Sequence, residues 1–323
     1  MDFEPKMRHP KAGEGDEVED YELVIIGGGP AGLTAAIYSG RARVGTCALI
    51  GTLPGGQPAN TAEVDNYPGF PDGVGGPELA QRFQGQAERF GAKVTPETVT
   101  KVDFSGRPFI IETFRKRYQA QAVIVATGAA PRRLGVPGED KFYGRGVSSC
   151  ATCDGFFYRD KRVIVVGGGD SALDEAMFLT KFAEEVTIIH RRDELRATKI
   201  YQEQAFANPK IDFVWDSVVE EILGDQTVTG VRVRNVKTQE SSMVETDGVF
   251  IYIGMEPKSD LFAGQLELDR QGYIVSDRRQ GTNVPGVFVA GDVQDPRYRQ
   301  VVIAAGTGAV AAMEAERYLG KFP

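Results

Sequence analysis

Leu23-Val24-Ile25-Ile26-Gly27-Gly28-Gly29-Pro30-Ala31-Gly32-Leu33-Thr34-Ala35-Ala36-Ile37-Tyr38 is the stretch whose reading decides the fold. Glu22–Ile26 is a short β-branched run that breaks at Gly27, and a helical stretch starts at Leu33. Strand, then G-x-G-x-x-G, then helix is the order that a dinucleotide-binding unit requires. In that reading Gly27 permits the tight turn, Gly29 lets a pyrophosphate approach, and Gly32 lets the helix pack on the strand, with Pro30 and Ala31 in the same turn. The helix N-terminus presents free N–H groups and its positive dipole end to the phosphates. A glycine-rich turn without a ligand is the alternative, and the strand and helix context weighs against it.

The pattern returns 140 residues later, from Gly27 to Gly167. Arg162–Val166 reads as a strand running into Gly167-Gly168-Gly169-Asp170-Ser171-Ala172, a G-x-G-x-x-A turn, and an apolar helix follows with Leu173, Ala176, Met177 and Leu179. Each copy ends in a strand-plus-glycine element: Ala122–Ala126 with Thr127-Gly128, and Val249–Tyr252 with Ile253-Gly254. A third such element, Val287-Phe288-Val289-Ala290-Gly291-Asp292, has no fingerprint of its own, so it is expected to return and complete the first domain. The fold class expected is therefore α/β, with two Rossmann-like (three-layer ββα) nucleotide-binding domains, the second inserted in the first. Expected boundaries are a flexible tail over 1–20, a discontinuous first domain over 21–131 and 258–323, and a second domain over 132–257. An amphipathic helix starts near Pro77, short strands and turns fill Lys93–Tyr118, and a last helix covers about Val301–Leu319.

Composition narrows the function classes. A chain of 323 residues is long enough for two domains, and 41% hydrophobic with 25% charged residues is ordinary for a globular enzyme. A formal charge of −8 leaves no basic footprint for nucleic acid. No apolar run is long enough to span a membrane, and the polar first twenty residues hold no signal-peptide core, which points to the cytoplasm. With Cys47, Cys150 and Cys153 alone, a disulfide-stapled secreted scaffold is excluded. Cys47, at the apolar end of a strand, reads as a small buried hydrophobe.

The two nucleotide turns differ. No Asp or Glu stands between Leu33 and Ala62, so the first site lacks the acid that accepts from ribose hydroxyls and must use other groups. In the second, the strand Val186–Ile189 runs into His190-Arg191-Arg192, with Arg196 beyond. Arginine there is the partner expected for the 2′-phosphate of NADPH, since its planar fork holds phosphate through paired hydrogen bonds. The alternative is a solvated basic turn offset by Asp193 and Glu194.

Between the two units stands Cys150-Ala151-Thr152-Cys153-Asp154. A zinc site needs four ligands, and only His9, His190 and Cys47 remain to complete one, so no metal is expected. A pair of inert buried cysteines and a redox dithiol remain; the C-x-x-C spacing, which helps one thiol stabilise the other as thiolate, favours the dithiol. NADPH gives hydride in one step, whereas a flavin accepts hydride and passes two electrons to a disulfide, so a flavin nucleotide suits the first site. Asp154 is adjacent to the dithiol and suited to protonate a released thiolate, or it is simply a turn-forming Asp before Gly155.

Cys150-Ala151-Thr152-Cys153-Asp154-Gly155-Phe156-Phe157 between two such turns resembles the low-molecular-weight, bacterial-type thioredoxin reductases. The similarity runs from about Tyr21 to Leu319 and includes Gly55-Gly56-Gln57, Asn66-Tyr67-Pro68-Gly69, His190-Arg191-Arg192 with Arg196, and Gly291-Asp292 through Tyr298-Arg299-Gln300. The resemblance implies a homodimer that binds FAD in the first domain and NADPH in the inserted one and reduces the disulfide of thioredoxin. It implies that Gly55, Gly56, Gln57, Asn66, Asp292, Arg299 and Gln300 contact the flavin cofactor. It places Cys153 nearer the flavin, gives Cys150 the attack on the partner disulfide, and makes Asp154 the acid. Gly144-Arg145-Gly146 and Phe156-Phe157 match positions that meet thioredoxin. It also implies rotation of one domain against the other about linkers near Gly128–Gly135 and Gly254–Lys258. Met255 stands where the family often has His, and Pro58 where another apolar residue is common.

Four other readings compete. The flavoprotein subunit of alkyl hydroperoxide reductase shares the core but carries an extra N-terminal thioredoxin-like region that a twenty-residue tail is not expected to supply. A ferredoxin– or flavodoxin–NADP reductase lacks the cysteine pair, and a dithiol oxidase gives the basic turn no purpose. A non-enzymatic redox sensor predicts a flavin that NADPH does not bleach, or no flavin at all.

Overall fold

A computed structural model describes residues 18–52, 54–60, 63, 64 and 66–320. The first seventeen residues of the expected tail, with His9, lie outside the described residues, as does Asp65.

The first unit opens with β1 (Val18–Ile26), α1 (Pro30–Arg41), β2 (Thr46–Leu49) and α2 (Gly76–Arg89). It continues through β3 (Lys93–Thr95), β4 (Val99–Asp103), β5 (Phe109–Thr113) and β6 (Arg117–Val125). These strands form one sheet in the order β3-β2-β1-β6-β5-β4. β1 is parallel to β2 and β6, whereas β4 and β5 close the far side as an antiparallel meander. Because the second half of β1, Leu23–Ile26, is central and covered on both sides, it reads as a continuous apolar run, as buried parallel strands do. Leu23 and Ile25 face the helical layer with Ala35, Ala36 and Leu79, while Val24 and Ile26 face the other layer with Phe109 and Phe262. Cys47 is fully buried in that second layer.

β1 starts at Val18, so residues 18–20, expected in the tail, are strand. Their backbone pairs with Arg117–Gln119 of β6, and Glu19 binds Lys93 and Lys116 at 2.7 Å each. Hydrogen bonds from Lys116, Lys93 and Tyr21 hold the Glu19 carboxyl down at about 2. An acidic run that looks like tail in sequence is thus fixed by cations from β3 and the β5–β6 turn.

Next come β7 (Ala129–Pro131), α3 (Glu139–Phe142), β8 (Val147–Ser148), α4 (Ala151–Asp154), β9 (Arg162–Val166) and α5 (Asp170–Leu179). They are followed by β10 (Glu185–Ile189), α6 (Lys199–Ala207), β11 (Ile211–Val214), β12 (Ser217–Gly224), β13 (Val228–Asn235), β14 (Ser241–Glu245) and β15 (Gly248–Ile251). A parallel sheet runs β11-β10-β9-β15-β8, and β12-β13-β14 form a separate antiparallel sheet. The parallel strands again bury both faces. Val163 and Val165 meet α5 and α6 residues, and Ile164 and Val166 meet the β12–β14 layer.

β16 (Met255–Pro257) pairs antiparallel with β7, Met255 opposite Pro131 and Pro257 opposite Ala129. The segments expected as linkers are therefore hydrogen-bonded to each other as one ribbon. β17 (Val287–Val289) then pairs parallel with β6 of the first sheet, and α7 (Val301–Leu319) packs on α1. The late strand returns to the first sheet because its Val287 and Val289 join the same apolar layer as Val123 and Val125.

Candidate active site and nucleotide turns

The first fingerprint is a close-packed turn. A Cβ at Gly32 would lie 2.0 Å from the Gly27 carbonyl oxygen, and one at Gly27, whose φ is +126°, 2.1 Å from the Ala126 oxygen. At Gly29, the N-cap of α1, a Cβ would meet nothing nearer than Gly56 Cα at 3.9 Å. The turn is sealed on its sheet side and open on the side where a pyrophosphate would lie. No side chain caps α1, and Pro30 takes its first turn, so the remaining N–H groups of that turn have no side-chain acceptor. Gly32→Ala is expected to yield a colourless or poorly folded chain, measured as flavin per polypeptide after purification; full flavin content would show that the turn tolerates the clash.

The loop carrying Gly55, Gly56 and Gln57 lies on this turn, with Gly55 N–H donating to the Gly28 carbonyl at 2.9 Å. From the far end of the chain, Gly291 N–H donates to Thr307 Oγ1 at 2.9 Å, and a Cβ at Gly291 would lie 2.9 Å from Ala31 Cβ. Asp292 is half-buried; burial first, then the charge of Asp295, push its carboxyl up to about 6, against the pull of Arg299. Thr127 Oγ1 donates to the Lys258 carbonyl at 2.6 Å and Lys258 N–H to that of Gly128 at 2.9 Å, which ties the two connecting segments together.

The second fingerprint starts α5 at Gly169, also without a side-chain cap. Asp170 accepts from Thr198 N–H at 2.6 Å, Ser171 is exposed, and Ala172 is buried in the core of this unit. Arg196 N–H donates to the Gly168 carbonyl at 2.8 Å, and the Arg196 guanidinium would lie 3.9 Å from a Gly169 Cβ. Arg191, Arg192 and Arg196 are exposed on the same edge. His190 behaves differently. Its ring is buried against Gly168 and edge-on to Trp215, its Nε2 has no hydrogen-bond partner, and burial lowers its pKa. It packs beneath the turn, which leaves the exposed charge of this edge to the arginines. Ile253 and Gly254 end the strand side of this site, where Arg132 N–H donates to the Gly254 carbonyl at 3.0 Å.

Cys150 and Cys153 form a disulfide with Cα atoms 5.3 Å apart. Cys150 N–H donates to Ser148 Oγ at 3.0 Å, and Asp154 N–H to the Cys150 carbonyl at 3.1 Å, so Asp154 closes the same turn. Cys150, Cys153 and Asp154 are all half-buried. Across to the first unit, Gln300 Nε2 donates to Thr152 Oγ1 at 3.1 Å and its Oε1 accepts from Asn66 at 3.0 Å. The dithiol turn therefore lies against the same residues, Asn66 and Gln300, that were expected to touch a flavin. Phe156 and Phe157 follow, 54% and 41% exposed, with Arg159 over the Phe156 ring at 4.9 Å. Arg145 is exposed on the loop after α3. Among the described residues, no group of three His, Cys, Asp or Glu side chains is arranged to hold a metal.

The β12–β14 layer, the Gln300–Thr152 bridge and the buried state of His190 were not legible in sequence. Gln300 and Thr152 are 148 residues apart, and nothing local to either marks the other as its partner.

Two nucleotide turns on parallel sheets with a C-x-x-C disulfide between them define a pyridine nucleotide–disulfide oxidoreductase. The profile of that family, Pyridine nucleotide-disulphide oxidoreductase, matches residues 21–308. The chain is 53% identical over 300 residues to a thioredoxin reductase of Streptomyces coelicolor, covering 92% of this chain and 93% of that one. It superposes on the thioredoxin reductase of Streptococcus pyogenes with a TM-score of 0.90 at 45% identity, covering 94% and 99%. Against that of Lactococcus lactis in the FR conformation, identity is 43%, coverage 94% and 100%, and the TM-score 0.65. The chain belongs to the thioredoxin reductases. The α/β fold expected from the two fingerprints is the fold of this family, and the competing readings are not favoured by its relatives.

Proposed function

We propose that this enzyme carries electrons from NADPH through FAD and the Cys150–Cys153 dithiol to the disulfide of thioredoxin. The observation that carries the reading is the dithiol turn held by Gln300, itself held by Asn66 of the first unit. FAD, when bound there, supplies two-electron chemistry between a hydride donor and a disulfide. Gly27, Gly29 and Gly32 with the α1 N-terminus would hold its pyrophosphate, and Gly55, Gly56, Gln57, Asn66, Asp292, Arg299 and Gln300 its remaining parts. Gly167, Gly169 and the α5 N-terminus would hold the pyrophosphate of NADPH, with Arg191, Arg192 and Arg196 on its 2′-phosphate. Cys153 would exchange electrons with the flavin, Cys150 would attack thioredoxin, and Asp154, whose N–H donates to the Cys150 carbonyl, would supply the proton a released thiolate takes up.

Phe156, Phe157 and Arg145 would meet thioredoxin, their exposed rings and charge being of the kind that anchors protein partners. The single ribbon of β7 and β16 supports rotation of one unit against the other, as do TM-scores of 0.90 and 0.65 at nearly equal identity. The exposed side of α7, with Ile303, Val310 and Met313 around Gly306, supports a homodimer. No helix among the described residues is long and apolar enough to cross a membrane; with its thiol-dependent chemistry we place the enzyme in the cytoplasm.

The reading is tested by following NADPH oxidation with a thioredoxin and a coloured disulfide as the last acceptor. Turnover is expected only with thioredoxin present. Equal turnover without it, or none with it, would sink the reading.

A further inference from the structure

Behind the dithiol lies a pair of titratable groups that the reaction above does not use. The Tyr252 hydroxyl, one residue beyond β15, accepts the N–H of Ala151 at 2.5 Å, and Ala151 is the residue between Cys150 and Thr152. Because the phenol oxygen is the acceptor there, its own proton is left to donate, and its neighbour is the carboxyl of Glu175 on α5. Glu175 Oε2 is buried and without a hydrogen-bond partner, an arrangement that costs folding free energy and invites a functional account. Facing Glu175 are Asp174 from its own helix, Arg299 from the segment before α7, and Tyr252; Asp154 of α4 acts in turn on Tyr252. Burial, then Asp174, push the Glu175 carboxyl up to about 6, so near neutral pH it carries charge. Burial and the Glu175 charge push the Tyr252 phenol well above its ordinary value, so it stays a neutral donor.

We propose that Tyr252 and Glu175 are positioning residues of the dithiol: the tyrosine seats the Cys150–Cys153 turn through the Ala151 N–H, and the carboxyl behind it disfavours thiolate once the disulfide is open. The two parts reinforce one another. The Ala151 N–H anchored on Tyr252 holds the turn where the carboxyl lies behind it, and a fixed negative charge there opposes a second one on the sulfur. A reduced state stabilised less makes a dithiol a stronger reductant, which suits a pair whose task is to reduce another protein's disulfide. The proposal rests on the dithiol reading above.

The test measures iodoacetamide alkylation of the NADPH-reduced holoenzyme against pH, for the native chain, Tyr252→Phe, Glu175→Gln and Glu175→Asp. The pH at which the reactive thiol ionises is expected to fall by about one unit in Tyr252→Phe and in Glu175→Gln. Glu175→Asp, which keeps the charge, is expected to stay near the native profile. A native profile in both Tyr252→Phe and Glu175→Gln overturns the proposal, as does Glu175→Asp moving as far as Glu175→Gln, which marks a packing effect. Should Tyr252→Phe fail to fold, the two Glu175 variants decide alone. If NADPH opens no pair of alkylatable cysteines in the native enzyme, the dithiol reading falls and this proposal with it.

Discussion

Replacing Cys150 by serine is expected to abolish thioredoxin-dependent NADPH oxidation, a loss of about 10³-fold or more, while NADPH still bleaches the flavin. Loss of a nucleophile that forms a covalent intermediate removes the route rather than slowing it, whereas hydride transfer to the flavin needs neither sulfur. The serine variant also separates the roles of the two cysteines. With Cys150 gone, the remaining Cys153 thiolate beside the flavin is expected to give a long-wavelength absorption band. Cys153→Ser should lose thioredoxin reduction equally but show no such band. A band in Cys153→Ser alone would exchange the roles, and a band in neither would place both sulfurs away from the flavin. The turn is held at its middle by Thr152 to Gln300 and at its start by Ala151 to Tyr252, so the two sulfurs are not free to exchange places.

How much of this was legible in sequence follows from how local each constraint is. Gly27 and Gly32 announce themselves because a Cβ at either would strike backbone of the same βα unit, and that clash is written into one short stretch. The return of Val287–Val289 to the first sheet was also readable, since an apolar strand ending in Gly291-Asp292 with no fingerprint of its own has few other places to go. The start of β1 was not, because Glu19 looks like tail until Lys93 and Lys116 arrive from 74 and 97 residues away. His190 shows the limit within a motif. Its place in His190-Arg191-Arg192 suggests a phosphate contact, yet the missing side chain of Gly168 opens a slot that the imidazole fills. Tyr252 and Glu175 carry no motif at all; only the backs of β15 and α5 meeting α4 make them neighbours of the dithiol.

Replacing Arg191 and Arg192 together by alanine is expected to lower kcat/KM for NADPH by roughly 10²–10⁴-fold and to leave that for NADH nearly unchanged. Each charge-assisted hydrogen bond to phosphate is worth about 1.5–3 kcal/mol, and NADH has no 2′-phosphate to lose. The rival account, a solvated basic turn neutralised by its own acids, is weakened by where those acids point. Lys237 reaches across from the turn after β13 to bind Asp193 at 2.7 Å and Asp216 at 3.0 Å. Asp193 is thereby held by a lysine, and among the described residues Arg191, Arg192 and Arg196 make no ion pair. Asp216 N–H donates to the Arg192 carbonyl at 3.2 Å, so the same anchor sets the backbone from which the arginine extends. Three exposed guanidinium groups without an ion-pair partner at the end of β10, beside the uncapped start of α5, form a local field for an anion on a chain whose net charge is −8. Steady-state kinetics with both nucleotides at two salt concentrations checks the prediction. The native preference for NADPH should shrink as salt rises, and it should be nearly absent in the double variant. Equal losses with NADPH and NADH would mean that the arginines shape the site rather than read the phosphate.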